Sequence, residues 1–193
     1  EGIGYDVTLL DKDDVVADRL NSFDAVLIGV RAFNTLPWLA FKNTELFEFV
    51  KQGGNVIVQY NTSHRLVTQD VAPYALTLSR DRVTVENSEV KFLAPKHSVL
   101  NYPNKITSED MDGWVQERGL YFPNKWSEEF IPILGMNDPG EEETKGSLLV
   151  AKYGKGYYCY TGLSFFRELP AGVPGAYKLL VNMISLGDNQ TNP

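Results

Sequence analysis

Two continuous apolar runs, separated by a helix-forming stretch, constrain the fold of this chain more than any other feature. They are "FDAVLIGV" at residues 23–30 and "NVIVQY" at residues 55–60. Neither run alternates between apolar and polar residues, so each predicts a strand that is buried on both faces. The stretch between them has apolar residues at helical spacing, interrupted near Asn43 and Thr44, before a glycine that favours a helix end: Leu39, Leu46, Phe49, Val50 and then Gly53.

The order of these elements predicts an α/β fold with a parallel sheet. Upstream, "YDVTLL" at residues 5–10 has strand character, and "DKDD" offers caps for a helix through "VVADRL". Strand, helix, strand, helix and strand within about 60 residues is typical of right-handed parallel crossovers. Ligands of such folds bind at the carboxyl ends of the strands, so we expect loops 11–14, 31–35 and 61–64 to form a crevice.

The pattern changes from about residue 65 to residue 146. "YALTLS" and "RVTVENSEVKFL" predict short strands, and a structureless loop of this length is uncommon in a compact domain. We therefore predict a β-rich insertion that covers the crevice. The sheet then resumes with the hairpin "SLLVAKYGKGYYCYTG", and the amphipathic helix "GVPGAYKLLVNMISLG" follows it. The whole chain, residues 1–193, is expected to form a single domain.

Composition excludes several classes of function. The net charge is -7 and no Lys/Arg cluster is present, which argues against binding to nucleic acid or anionic lipid. No apolar run approaches the roughly 20 residues of a membrane span. Cys159 is the only cysteine, so an internal disulfide is excluded, and no Cys/His cluster has zinc-site spacing. A start at Glu1 without methionine and the tail "GDNQTNP" favour a piece of a longer protein.

Five sequence segments, in this order, resemble those of a known family: "FDAVLIGVRAFNT", "FVKQGGNVIVQYNT", "HSVLNYPNKI", "GWVQERGLYF" and "GKGYYCYTGLSFF". The chain resembles the class I glutamine amidotransferase-like superfamily, in its trehalose-utilisation-like branch. It is similar in particular to the C-terminal domain that follows a PIG-L (LmbE-like) deacetylase domain in Bacteroidetes-type proteins. The resemblance implies a flavodoxin-like parallel sheet flanked by helices, whose first strand and helix would precede "GYDVTLL" and are missing from this chain.

The same resemblance implies that the amidotransferase chemistry is absent. Matching "VIVQYNT" to the family's nucleophile turn puts Tyr60 where active members have cysteine, and residues 162–165 stand where the His-acid pair would be. A tyrosine hydroxyl, with a reference pKa of about 10, is a poor nucleophile unless a neighbour activates it. Cys159 lies mid-strand among aromatic residues and is interpreted as a buried apolar side chain. We therefore predict no catalytic residue.

The predicted ligand-binding residues come from the crevice loops and the insertion. Arg31 offers fixed donors to a carboxylate or to sugar hydroxyls, although an ion pair with the insertion would explain it equally well. In "MDGWVQERGLYFPNKW", Trp114, Tyr121 and Trp126 lie near amide and charged groups. Such aromatic faces suit sugar rings, but these aromatics also suit the small core of the insertion. The full set is Arg31, Asn34, Tyr60, Asn61, Thr62, His64, Trp114, Arg118 and Ser164.

Two further groups have structural interpretations. His97 in "PKHSVLNY" is interpreted as a turn residue, and the acidic stretch "NDPGEEET" at residues 137–144 as a solvated loop. That stretch lacks the alternate-residue spacing of a calcium loop. No metal site and no cofactor are predicted.

Three functional hypotheses remain open at this point. By resemblance, the chain is a non-catalytic accessory domain of a zinc deacetylase that acts on N-acetylated sugars, with a carbohydrate ligand and the upstream deacetylase domain as partners. Alternatively, it is a hydrolase that uses Tyr60, His64 and Arg31, with an acid or base such as Glu117 from the insertion. The third hypothesis is a structural domain that forms homo-oligomers, like related domains in some glycosidases. A periplasmic or cell-surface location is expected.

Overall fold

The computed structural model describes residues 4–187. Its strands are β1 (Ala25–Ile28), β2 (Asn55–Val58), β3 (Leu76–Val83), β4 (Val90–Phe92), β5 (Gly119–Trp126), β6 (Phe130–Pro132), β7 (Leu134–Met136), β8 (Leu148–Tyr153) and β9 (Gly156–Thr161). Its α-helices are α1 (Ala17–Leu20), α2 (Ala32–Thr35), α3 (Asn43–Gln52), α4 (Phe165–Glu168) and α5 (Pro174–Ile184). Three short 3-10 helices cover Pro37–Phe41, Ser98–Leu100 and Ser108–Met111.

A mixed five-stranded sheet forms the centre of the molecule, in the order β1-β2-β9-β8-β6. β1, β2 and β9 are parallel, while β8 pairs antiparallel with β9 and β6 pairs antiparallel with β8. The predicted α/β fold with parallel strands is confirmed. The insertion contributes more than expected, because β6 extends this central sheet, while β3-β5 and β4-β7 form two separate two-stranded sheets.

The continuous apolar run of β2 is explained by burial on both faces of the sheet. Val56 and Val58 belong to a core that includes residues of α1, α2 and α3, whereas Ile57 belongs to the opposite core with residues of α5. All three side chains are fully buried. Burying one such side chain contributes about 1.5–3 kcal/mol, so this short strand anchors both layers.

One predicted strand is absent. Residues 5–10, "YDVTLL", do not form a strand, and Val7 and Leu9 are 64% and 96% exposed. A strand needs a neighbour that completes its backbone hydrogen bonds, and the part of the chain that the structure describes provides none here. β1 is an edge strand of the central sheet, and its Leu27 is 44% exposed.

The helix before β2 is divided close to the interruption predicted near Asn43 and Thr44. Lys42, with φ of -114° and ψ of 3°, separates a 3-10 helix from α3. The loop "RAFNT" contains the short helix α2. Glu1 and most of the tail, residues 188–193, lie outside the described residues. The longest helix, α5, has 11 residues, and no helix between residues 4 and 187 could cross a lipid bilayer.

Candidate ligand-binding site

The candidate site lies where the parallel strands end. The Arg31 amide, after β1, donates to the Tyr60 carbonyl, after β2, at 2.8 Å, and the Gln59 amide donates to the Ile28 carbonyl at 3.1 Å. These bonds continue the pairing of the two strands into their loops. Arg31 and Tyr60 are therefore neighbours, as the crevice prediction requires.

Amide side chains hold these two loops together. Asn61 Oδ1 accepts from the backbone amide of Phe33 at 2.9 Å, and the backbone amide of Asn61 donates to the Tyr160 hydroxyl at 3.0 Å. Asn34 Oδ1 accepts from the Thr62 amide at 2.9 Å, and Asn34 Nδ2 donates to the carbonyls of Thr62 and His64. Asn61 and Thr62 are buried. These predicted ligand residues therefore fix the shape of the crevice and are not free to bind a ligand.

The insertion places an aromatic ring against the crevice. The Tyr121 ring, from β5, stacks on the Tyr60 ring at 6.1 Å between centroids, with only 11° between the planes. Phe166 lies on another side of Tyr60 at 5.3 Å, and the His64 ring approaches Tyr121 edge-on at 6.5 Å. The contact brings the insertion and the parallel sheet together at one point.

A cleft opens beside this stack, with a volume of about 320 Å³. Its lining combines one aromatic ring with an imidazole and two guanidinium groups: His64, Arg80, Arg82, Leu120 and Tyr121. His64 was predicted as a ligand residue, and Tyr121 belongs to the aromatic stretch that the sequence associates with sugar rings, whereas Arg80 and Arg82 were not predicted. Arg80 and Arg82 lie at alternate positions of a bulged strand, and alternation was the one sequence signal that could have put both on one face.

Glu117 is the carboxylate that binds the guanidinium groups next to Tyr60. It is 5% exposed, with Arg167 Nε at 3.1 Å from one carboxylate oxygen and Arg82 at 3.4 Å from the other. Arg167 also bonds the Gln116 side chain and lies over the Phe166 ring, 4.9 Å from its centroid. No ion pair within residues 4–187 involves Arg31 or Arg80.

Three predicted ligand residues lie in the interior and not in the cleft. Trp114 is 4% exposed and donates its indole N–H to the Asp110 carbonyl at 3.1 Å. Arg118 is also 4% exposed, and its guanidinium donates to the carbonyls of Ser88 and Met111. Neither side chain is available to a ligand in this structure, because both are buried and their polar groups donate hydrogen bonds to backbone carbonyls.

Ser164 is the third, and it belongs to a buried hydrogen-bond network. Its hydroxyl bonds the Glu117 carbonyl at 2.6 Å and a Glu168 carboxylate oxygen at 3.0 Å. Glu168 is fully buried and also accepts from the Val115 amide at 2.9 Å. Burial raises the pKa of Glu168, and these hydrogen bonds only partly oppose the effect. We call Arg118, Ser164 and Glu168 the buried layer.

Backbone strain is concentrated around the cleft. In the described residues, the non-glycine positions with positive φ are Arg31 (57°), Arg65 (58°), Gln116 (69°) and Tyr121 (54°). Arg31 contacts the Tyr60 loop, Arg65 follows His64, Gln116 binds Arg167, and Tyr121 lines the cleft. Such conformations cost of order 1–3 kcal/mol each and tend to cluster at functional sites.

The site shows no activated nucleophile. Burial raises the pKa of the Tyr60 hydroxyl, although the nearby Arg31 charge works in the opposite direction. Burial also raises the pKa of the Cys159 thiol, which is fully enclosed within β9. Within residues 4–187 no group of three or more His, Cys, Asp or Glu side chains could hold a metal ion.

The two structural interpretations have simple local explanations. His97 Nδ1 accepts from the Val99 amide at 3.1 Å and caps the 3-10 helix that follows. In the acidic stretch, the Asp138 carboxylate accepts from the amides of Thr84 and Val85 at 2.9 Å. Asp138 therefore ties this stretch to the end of β3, while Glu141 and Glu142 are exposed as predicted for a solvated loop.

Comparisons with known proteins find similarity at the level of structure. No protein-family model and no curated protein matches the sequence. The chain is similar to "Cytoplasmic Protein STM3548 from Salmonella typhimurium", with a TM-score of 0.63, 15% identity and coverage of 95% of this chain and 82% of that one. For "Cytoplasmic Protein STM1381 from Salmonella typhimurium LT2" the TM-score is 0.59, with 14% identity and coverage of 94% and 81%.

A third similar structure is part of a longer enzyme. The β-galactosidase from Rahnella sp. R3 matches with a TM-score of 0.51 and 12% identity, over 90% of this chain but only 23% of that one. At these identities the likenesses establish a shared fold and nothing about activity.

Proposed function

We propose that this chain is a non-catalytic domain that binds a carbohydrate in the cleft beside Tyr121. The proposal rests on the Tyr60–Tyr121 stack, which fixes the Tyr121 ring in the cleft. The backbone of Tyr121 has a positive φ of 54°, which is a strained conformation. Sugar rings stack their C–H faces on aromatic rings and bond their hydroxyls to neighbouring polar groups. His64, Arg80 and Arg82 supply such groups around Tyr121.

The chemistry of the side chains supports binding over hydrolysis. A hydrolase would need Tyr60 as nucleophile and Glu117 as acid or base, yet Glu117 is occupied by Arg82 and Arg167. The charge of Glu117 raises the pKa of Tyr60 further, so it disfavours the phenolate that attack would require. The Ser164 hydroxyl is buried in its own network.

The wider assignment rests on the sequence resemblance. We propose that the sheet is a flavodoxin-like variant of the amidotransferase-like fold and that the domain assists a PIG-L-type deacetylase acting on N-acetylated sugars. The three parallel strands and the crevice at their carboxyl ends support this assignment. The upstream deacetylase domain as partner and the periplasmic or cell-surface location stay predictions.

Calorimetric titration with a panel of amino sugars, N-acetylated sugars and acidic oligosaccharides tests the proposal. His64→Ala and Arg80→Gln change exposed side chains of the cleft, so we expect both variants to fold and to bind at least about tenfold more weakly. Arg19→Gln is the matched control, since Arg19 is an exposed arginine near Asp14, outside the cleft. No heat with any sugar would refute carbohydrate binding, and a tight dimer in light scattering would then favour the oligomerisation hypothesis.

A further inference from the structure

The distribution of basic residues around the cleft is uneven in a way that composition does not reveal. The chain carries a net charge of -7 and has seven arginines and eleven lysines. Four of the arginines lie near the Tyr60–Tyr121 stack, and no lysine lines the cleft. Arg80 and Arg82 line it, Arg167 binds Glu117, and Arg31 acts electrostatically on Tyr60.

Charge compensation at this place is incomplete. Glu117 is shared by Arg82 and Arg167, while Arg31 and Arg80 have no acidic partner within residues 4–187. The lining of the cleft beside Tyr121 holds two guanidinium groups and no carboxylate, which gives a local surplus of positive charge in an acidic protein. Arg80 and Arg82 are exposed, so this charge is available to a ligand.

A neighbouring cleft does not share this property. It lies on the other side of Arg80 and Arg82 and is lined by acidic side chains as well, among them Asp81, Glu141, Glu142 and Glu143. An anion is favoured less there, because those carboxylates offset the charges of Arg80, Arg82 and Lys145. The cleft beside Tyr121 has no carboxylate in its lining.

Guanidinium groups and ammonium groups select different ligands. A guanidinium presents a planar fork of N–H donors that matches the two oxygens of a carboxylate or sulfate, whereas an ammonium acts as a point charge. A cleft of about 320 Å³ is at the small end of the range of about 300–1,000 Å³ for small-molecule sites, which suits a short sugar.

Building on the proposed carbohydrate function, we infer that the ligand is an acidic sugar, with an oxyanion held by Arg80 and its ring stacked on Tyr121. The oxyanion is a carboxylate, as in a uronic acid, or a sulfate ester. Arg82, already bridged to Glu117, orients the second side of the site, and Arg31 adds long-range attraction.

The test compares ligands that differ only in charge. Calorimetry with an oligogalacturonide and with its methyl ester isolates the carboxylate, and a sulfated galactose oligosaccharide with its desulfated form isolates the sulfate. We expect one acidic member to bind at least about tenfold more tightly than its neutral counterpart. The pair that shows the difference tells whether the oxyanion is a carboxylate or a sulfate ester.

Variants and salt separate the possible outcomes. Arg80→Gln should remove the preference for the acidic ligand, Arg80→Lys should restore it only in part, and Arg19→Gln should leave it unchanged. Affinity for the acid should also fall with rising salt. Equal binding of acidic and neutral members would overturn this inference while leaving carbohydrate binding intact. Binding of inorganic sulfate as tightly as any sugar would also overturn it, and no binding of any sugar would refute the proposed function itself.

Discussion

Arginine has opposite roles in two neighbouring regions of this molecule. In the buried layer, Arg118 is enclosed and donates to the Ser88 and Met111 carbonyls, so the chain itself satisfies the guanidinium. In the cleft, Arg80 has no acidic partner within residues 4–187 and stays exposed. The difference shows that the backbone satisfies the donors of Arg118, whereas the donors of Arg80 stay open to solvent or to a ligand.

Removing the buried guanidinium gives the largest expected effect. Arg118→Ala leaves two buried carbonyls without donors and creates a cavity, so we expect the free energy of unfolding to fall by about 3 kcal/mol or more. Urea denaturation followed by circular dichroism measures this loss. Arg82→Ala is the comparison, and its exposed ion pair should contribute about 1 kcal/mol or less. Equal losses would show that the two regions do not differ as described.

Asn61 tests whether the crevice loops are held by structural amides. Asn61→Ala leaves the Phe33 amide without its acceptor in a buried position, which should lower the free energy of unfolding by about 2 kcal/mol. Asn124→Ala, an exposed change in β5, should alter it by less than about 0.5 kcal/mol. A stability unchanged by Asn61→Ala, measured in the same urea series, would return Asn61 to the set of possible ligand residues.

A smaller effect is expected in how the free energy of unfolding depends on pH, through Glu168 of the buried layer. The pKa of Glu168 is raised in the folded state, so its proton is bound more tightly there than in the unfolded chain. The cost of the charged carboxylate is therefore fully present above the folded pKa and disappears as pH falls towards the ordinary value of 4.5.

Glu168→Gln removes this dependence. The free energy of unfolding of the variant minus that of the unmodified protein should be more positive at pH 7 than at pH 4.5. Urea denaturation at both pH values measures this difference. Glu142→Gln changes an exposed acid far from the buried layer and serves as the control. A Glu168→Gln difference that does not vary with pH would contradict the shifted pKa.

The smallest expected effect concerns backbone strain at the edge of the cleft. Arg65 has a φ of 58°, a conformation that glycine adopts without steric cost. Arg65→Gly should raise the free energy of unfolding by about 0.5 kcal/mol, since relief of strain slightly exceeds the entropy lost by glycine. Arg65→Ala keeps the strain and should show no gain in a thermal melt. A loss of stability with glycine would mean that the Arg65 side chain makes a favourable contact.

The sequence predicted the sheet well because its signals are local. Burial of β2 on both faces follows directly from the apolar run at residues 55–60, and the β8-β9 hairpin follows from Gly154 and its neighbours. The run at residues 5–10 carries the same local signal, yet it forms no strand because pairing depends on a neighbour. Strand propensity alone could not show that this neighbour is absent from residues 4–187.

The site was predictable only where it belongs to the parallel strands. Arg31 and His64 were found because loops at the carboxyl ends of such strands converge. Arg80 and Arg82 were missed because only the pairing of β3 with β5, across about 40 residues, brings them to the cleft beside Tyr121. Arg118 and Trp114 were misplaced because an aromatic residue beside a charged one looks alike in a binding surface and in a small core.

The contact between Tyr60 and Tyr121 has a consequence for how this domain could change over evolution. One wall of the cleft belongs to the loop after β2, which carries His64, and the other belongs to the paired strands β3 and β5. Substitutions in that pair can therefore change the lining of the cleft while the cores around α3, β2 and α5 stay constant. Exchanging residues 76–83 and 119–126 between proteins of this fold would then change the cleft as a unit, much as loops vary on other rigid scaffolds.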